Sequence, residues 1–214
     1  MIKRLIFSLT FIITLILPAN ADNIMPKKVA DINSASIGLY QIPLKIVIYK
    51  KPDKNSDVIY RVNWDYKSFN ASDDKPADNF FTVLIQEKEL AYVQVSDYTD
   101  DWAEIIYDKE NNKKGWVHIE DLRFMTWRTF FNMYGRKYGL YYLANSPAES
   151  KKLHTSTEEN SQIIEKIEKP IKIKLTVIKG NYALITAIEN NIGKTGYVNW
   201  RNDNGEIYIF PAIK

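Results

Sequence analysis

The sequence predicts an all-β chain of two small antiparallel modules joined by one short aromatic helix. Three observations carry that prediction. Short runs rich in Val, Ile, Tyr, Phe and Trp alternate with clusters of Asp, Asn, Lys and Gly, as strands alternate with turns. Four blocks recur in the same order in two halves of the chain. Between the halves lies one stretch whose aromatic residues follow a helical period.

The chain begins with a segment of a different kind. Lys3 and Arg4 precede the uncharged, almost wholly apolar run 5–17, which is 13 residues long. Pro18 breaks the run, and Ala19-Asn20-Ala21 supplies the small-x-small pattern of a signal-peptidase site. Residues 1–21 therefore read as a signal peptide cleaved after Ala21, sending the protein to the periplasm or the medium. Spanning a bilayer takes roughly 20 apolar residues, so the run is too short for an anchor. No second run of that length follows, and no membrane span is expected after cleavage.

Composition narrows the chemistry. With no cysteine, the chain has no lipoprotein attachment, disulfide framework, thiolate metal site or Cys nucleophile. Its core must be an ordinary hydrophobic one. The formal charge is +3, but residues 38–121 carry 11 basic and 16 acidic side chains, and residues 122–214 carry 14 and 8. No compact Lys/Arg run accompanies this imbalance, so nucleic acid is not an expected partner. Attraction between the halves, affinity of the basic half for anionic envelope polymers and ordinary solvated surface all remain open.

Residues 22–37 are polar and aperiodic and are expected to form a flexible lead-in. Strand-type runs follow at 45–49, 80–86, 90–95, 102–107 and 115–119, with 108–114 as a hairpin tip. In the second half they fall at 171–178, 182–188, 195–198 and 207–210, with turns at 179–181 and 189–194. Between them, Trp127, Phe130, Phe131, Tyr134 and Tyr138 lie on one face of a helix over 125–138. Thr126 can cap its start and Gly139 can end it. An aromatic stripe at this spacing reads as a packed connector.

The repeat begins with Gly38-Leu39-Tyr40 and Gly139-Leu140-Tyr141. Residues 49–59 align with 154–164, sharing Asn55/Asn160, Ser56/Ser161 and Ile59/Ile164. Trp102-Ala103-Glu104-Ile105 then matches Tyr182-Ala183-Leu184-Ile185, and Gly115-Trp116-Val117 matches Gly196-Tyr197-Val198. The first copy is about 25 residues longer, mostly over 63–79, which reads as an inserted loop. Module one is thus 38–124 and module two 139–214.

These blocks carry a family resemblance. The segment Tyr49-Lys50-Lys51-Pro52-Asp53-Lys54-Asn55-Ser56, then Asp101-Trp102-Ala103-Glu104-Ile105, then Gly115-Trp116-Val117-His118 resembles the bacterial SH3-like (SH3b) domain. The second copy departs from it, with Thr157 in place of Pro52 and Tyr197 in place of Trp116. The resemblance implies a strongly bent antiparallel barrel of five or six strands per module. It also implies a shallow ligand groove with exposed aromatics, and an association with peptidoglycan or envelope peptides. The candidate contacts are Tyr49, Tyr98, Trp102 and Trp116 in module one, and Tyr182, Tyr197 and Trp200 in module two. A core role is open for each of them.

No catalytic pattern emerges, so the chain reads as a non-enzyme. His118 and His154 lack a neighbouring nucleophile motif, and the zinc, phosphate-loop and nucleophile-elbow patterns are absent. His118 reads as a satisfied strand histidine; as a metal ligand it would need Glu120 or Asp121 beside it. Asp97, Asp100, Asp101 and Glu104 cluster around Trp102 and are the one candidate for acid–base hydrolysis. Neither a metal nor a cofactor is expected. The expected activity is binding of a cell-wall or envelope peptide, with a protein partner or inhibited enzyme as the alternative.

Overall fold

A computed structural model describes residues 32–119, 123–144, 146–158, 160–167 and 172–213. The expected signal peptide, residues 22–31 of the lead-in, Glu120 and Asp121 lie outside the described residues.

The protein is mostly β, in two antiparallel sheets, with one helical segment between them. The first sheet contains β1 (Gly38–Gln41), β2 (Lys45–Tyr49), β3 (Val58–Trp64), β4 (Phe69–Ala71), β5 (Val83–Ile85), β6 (Leu90–Thr99), β7 (Trp102–Asp108), β8 (Lys113–His118) and β9 (Phe124–Thr126). The second contains β10 (Leu140–Tyr142), β11 (Lys152–His154), β12 (Ile163–Lys166), β13 (Lys172–Lys179), β14 (Tyr182–Glu189), β15 (Ile192–Asn199) and β16 (Ile209–Pro211).

Both sheets have the same strand order. The first runs β4-β3-β2-β8-β7-β6-β1-β9, with β5 paired to β6; the second runs β12-β11-β15-β14-β13-β10-β16. Removing β4 and β5 makes the two orders superimpose strand for strand. The register agrees residue by residue. Trp102↔His118, Ala103↔Val117, Glu104↔Trp116 and Ile105↔Gly115 in the first sheet correspond to Tyr182↔Asn199, Ala183↔Val198, Leu184↔Tyr197 and Ile185↔Gly196 in the second. Tyr49↔Trp116 likewise corresponds to His154↔Tyr197.

Gly115 and Gly196 explain why that block keeps its glycine. A Cβ at Gly115 would lie 2.4 Å from Ile48 Cγ2 and 2.8 Å from Ile59 Cδ1. At Gly196 it would lie 3.0 Å from the His154 carbonyl oxygen and 3.1 Å from Ile164 Cδ1. The neighbours are themselves repeat equivalents, so both copies use glycine to let another strand approach closely.

Three expectations are corrected. The sheets hold nine and seven strands where five or six were expected, and no strand pair among the described residues closes either into a ring. The inserted stretch 63–79 is not a bare loop: it holds β4 and most of α1 (Ala77–Phe80). Phe80 and Phe81 are buried at its end, and Phe69 packs against Phe81 with ring centres 5.2 Å apart. Residues 32–37, assigned to the flexible lead-in, are tied down. Ser36 is buried and donates to the carbonyls of Gly38 or Val95 at 3.1 Å, and Asn33 N–H donates to Gln94 Oε1 at 2.7 Å.

The helical segment runs from Trp127 to Tyr138, with a wide π turn over Phe131–Gly135 flanked by α turns. Thr126 Oγ1 accepts from Thr129 N–H at 3.2 Å, and Gly139 ends the segment at φ +85°. Its aromatic stripe bridges the sheets. Phe130 packs on Tyr92 of the first sheet (5.4 Å) and Phe210 of the second (5.6 Å), while Phe131 packs on Trp200 (4.6 Å). Leu39, Val83 and Tyr92 therefore share one core with the second sheet, while the first sheet keeps another around Ile48, Trp64, Val93 and Ile105. No helix among the described residues is long and apolar enough to cross a membrane.

Candidate functional site

Alternation along β7 and β8 sets the site. Ala103, Ile105, Gly115 and Val117 point inward and are buried. Trp102, Glu104, Trp116 and His118 therefore share the opposite, half-buried face, together with Tyr49, which faces Trp116. The rings interlock: Tyr49 meets Trp102 edge-on at 5.5 Å, and Trp102 meets His118 edge-on at 5.2 Å.

Beside this row lies a cleft of about 360 Å³, within the range of small-ligand sites. Its walls include Pro43, Ile46, Tyr49 and Val117, with Lys45, Lys54, His118 and Arg123 adding positive or titratable groups. Sequence reading singled out the aromatics and missed these cations. They are scattered over some 80 positions, and only the fold brings them together. His118 Nδ1 is buried and without a hydrogen-bond partner among the described residues, which do not include Glu120 and Asp121.

The remaining predicted residues are placed differently. Tyr98 is exposed at the end of β6 and stacks on Phe124 at 4.9 Å, away from the interlocked rings. Tyr182 and Tyr197 are half-buried in module two, where Tyr182 meets His154 at 6.5 Å. Lys179 donates to the Tyr197 hydroxyl at 3.2 Å and lies 5.5 Å from the ring centre. Trp200 is a core residue, 1 % exposed, with its indole N–H donating to the Gly180 carbonyl at 2.9 Å. It continues the inward alternation of Gly196 and Val198, which was the available signal for its burial. A second, more polar hollow of about 500 Å³ lies at the Lys179–Tyr182 turn, lined also by Asn199 and Asp203.

The acidic cluster makes local structural bonds. Glu104 accepts from Ser96 Oγ at 2.7 Å and lies 3.7 Å from the Lys114 ammonium. Asp97 accepts from the Tyr98 N–H at 2.8 Å, and the Asp101 carbonyl accepts from Ile119 N–H at 2.7 Å. Among the described residues, no group of three or more His, Asp or Glu is arranged to hold a metal.

The most perturbed carboxylate lies elsewhere and was not predicted. Asp108 is buried at the end of β7 and is reached by Lys75 Nζ (2.7 Å), Asn79 Nδ2 (3.0 Å) and Asn111 Nδ2 (3.0 Å). Burial pushes its pKa up, but those hydrogen bonds outweigh it and hold the carboxyl well below its ordinary range. Lys75 and Asn79 belong to the segment containing α1, so Asp108 fastens that segment to β7. Tyr60, which donates to Asp73 Oδ1 at 2.5 Å, is pushed above the ordinary phenol range by burial and by that carboxylate.

The chain matches none of the known protein-family models and none of the curated proteins.

Proposed function

We propose that this chain is an exported, non-catalytic binding protein of two tandem SH3-like modules, recognising peptidoglycan or envelope peptides chiefly through the first module. The observation that carries the reading is the Tyr49–Trp102–His118 row beside a cleft of ligand size. Half-buried aromatics offer apolar faces with polar edges, which suit peptide and glycan ligands alike. The SH3-like assignment draws support from the matching order and register of the two sheets, and from the Gly-Trp-Val and Gly-Tyr-Val blocks that fall at equivalent places in them. Export rests on the pattern of residues 1–21.

Retention of the purified protein on isolated sacculi tests this function. Saturable retention at moderate salt, weakened by Trp102→Ala, is expected; absence of retention even at low salt overturns it. A second reading, capture of a protein partner, is favoured by Val58 and Ile59 and their equivalents Ile163 and Ile164. All four are at least 36 % exposed. Replacing these four residues with Ser should then abolish partner capture while leaving any retention on sacculi intact.

A further inference from the structure

The turn from Lys179 to Tyr182 joins β13 to β14, and the stretch just past β15 fixes its shape. The Trp200 indole N–H donates to the Gly180 carbonyl at 2.9 Å, and the Trp200 backbone N–H donates to the Asn181 carbonyl at 3.0 Å. Arg201 Nε donates to Asn181 Oδ1 at 2.7 Å, and Asn181 Nδ2 donates to Asp203 Oδ1 at 2.6 Å. The polar hollow of about 500 Å³ in module two is lined by both stretches, so its wall is braced before any ligand arrives.

An outer-face pair opens into this hollow. Tyr182 and Asn199 are cross-strand partners at the places held by Trp102 and His118 in module one. Both are half-buried, and both line the hollow together with the exposed Thr157. The hydroxyls of Thr157 and Tyr182 and the carboxamide of Asn199 make no hydrogen bond with any described residue. Asp203 engages one carboxylate oxygen with Asn181, and no described residue bonds the other.

The chemistry of the lining narrows the ligand. Lys179 and Asp203 are its two charged residues and offset each other, and the Lys179 ammonium is engaged by the Tyr197 hydroxyl at 3.2 Å. An ionic ligand therefore meets no surplus of opposite charge. An extended peptide meets no open edge on β14, which is paired with β13 on one side and β15 on the other. What remains is two hydroxyls, an amide and a carboxylate oxygen beside a tyrosine ring. Together they donate and accept hydrogen bonds over an apolar face, which matches the alternating O–H groups and C–H face of a sugar ring.

We propose that this hollow binds a neutral saccharide. A pyranose ring lies against Tyr182, and its hydroxyls bond to Asn199, Thr157 and Asp203. The inference goes beyond the proposed function, which places binding chiefly in module one, and gives module two a ligand class of its own.

Titration of the purified chain with chitotriose, cellotriose and the amide of acetyl-Ala-Ala-Ala tests it, followed by the backbone amide shifts of Gly180, Tyr182 and Asn199. Saturable binding of one or both saccharides is expected, with shifts centred on those three residues and none of comparable size for the peptide. Which saccharide binds more tightly tells whether the acetamido group takes part. Affinity should fall about tenfold in Asn199→Ala/Thr157→Ala, which removes two hydrogen-bonding groups and leaves the near-ultraviolet dichroism unchanged. If that variant does not fold, the single exposed change Thr157→Ala replaces it, with a loss of about threefold. Binding of neither saccharide, equal binding of the peptide, shifts centred on module one, or undiminished affinity in the folded variant overturns the inference. Saccharide binding at the hollow without retention on sacculi would leave this inference standing and remove the proposed function; retention without saccharide binding would do the reverse.

Discussion

The two sheets share one strand order and one register, yet their outer faces differ in chemistry. Where the first presents Tyr49, Trp102, Glu104, Trp116 and His118, the second presents His154, Tyr182, Leu184, Tyr197 and Asn199 at the equivalent positions. The inward positions change far less: Ala103, Ile105, Gly115 and Val117 correspond to Ala183, Ile185, Gly196 and Val198. Inward residues are constrained by packing at near-crystalline density, whereas outward residues answer only to solvent and ligand. The pairing scaffold is therefore common to both copies, while the interlocked Tyr49–Trp102–His118 row belongs to the first. The first sheet alone also carries α1 with β4, a segment fastened by Asp108; the register puts Ala187 at the equivalent position in the second sheet.

The strongest way to break this comparison is to remove what the sheets share. Phe131 is fully buried between the helical segment and Trp200. Phe131→Ala should cost about 3–5 kcal/mol by leaving a cavity in the shared core. Chemical denaturation followed separately at each sheet should show the second destabilised most, because Phe131 and Trp200 both belong to its core.

A smaller effect should fall on the first sheet alone. Asp108→Asn breaks the ion pair with Lys75 and should cost about 1–3 kcal/mol at neutral pH. The sign with pH follows from the direction of the shift. The folded state holds the Asp108 carboxyl below its ordinary value, so its stabilisation is complete above about pH 4 and drains away as pH falls further. Denaturation at pH 7 and pH 3 should therefore show the gap between wild type and Asp108→Asn narrowing in acid. A gap that stays constant would disprove the electrostatic account of this anchor.

The finest contrast concerns the two equivalent glycines. An added methyl at Gly115 meets the buried Ile48 side chain at 2.4 Å, while at Gly196 its closest contact is 3.0 Å. Gly115→Ala should cost about 1–3 kcal/mol through overpacking. Gly196→Ala should cost less, since shifts of a few tenths of an ångström relieve its contacts. Thermal unfolding of the two variants side by side measures the difference, and equal losses would mean that the copies pack alike after all.

Much of this architecture was legible in the sequence because its causes are local. The Gly-Trp-Val and Gly-Tyr-Val blocks mark strands of equal register, and the stripe from Trp127 to Tyr138 marks a helix whose cap and end fall at Thr126 and Gly139. The stretch 63–79 misled because its Ser, Asp and Asn residues are turn formers, while its order depends on Phe69, Phe80 and Phe81 and on an Asp108 anchor about thirty positions away. Residues 32–37 misled for the same reason: Ser36 is ordered by a bond to Val95, 59 positions on.

By itself, the sequence determined the strand runs near 45–49, 90–95, 102–107, 115–119, 182–188 and 195–198, the internal repeat and the place of the connector, since each follows from side-chain period and turn chemistry within a few residues. It did not reveal β3 (Val58–Trp64), and its run 80–86 is strand only over Val83–Ile85. Tertiary structure decided which aromatics face outward, and so it put Trp200 in the core and left Trp102 and Trp116 half-buried on the outer face of the first sheet. It also decided that Lys45, Lys54, His118 and Arg123 line one cleft. Burial and charge clustering depend on pairings between distant strands, and no local pattern encodes which distant residues those pairings bring together.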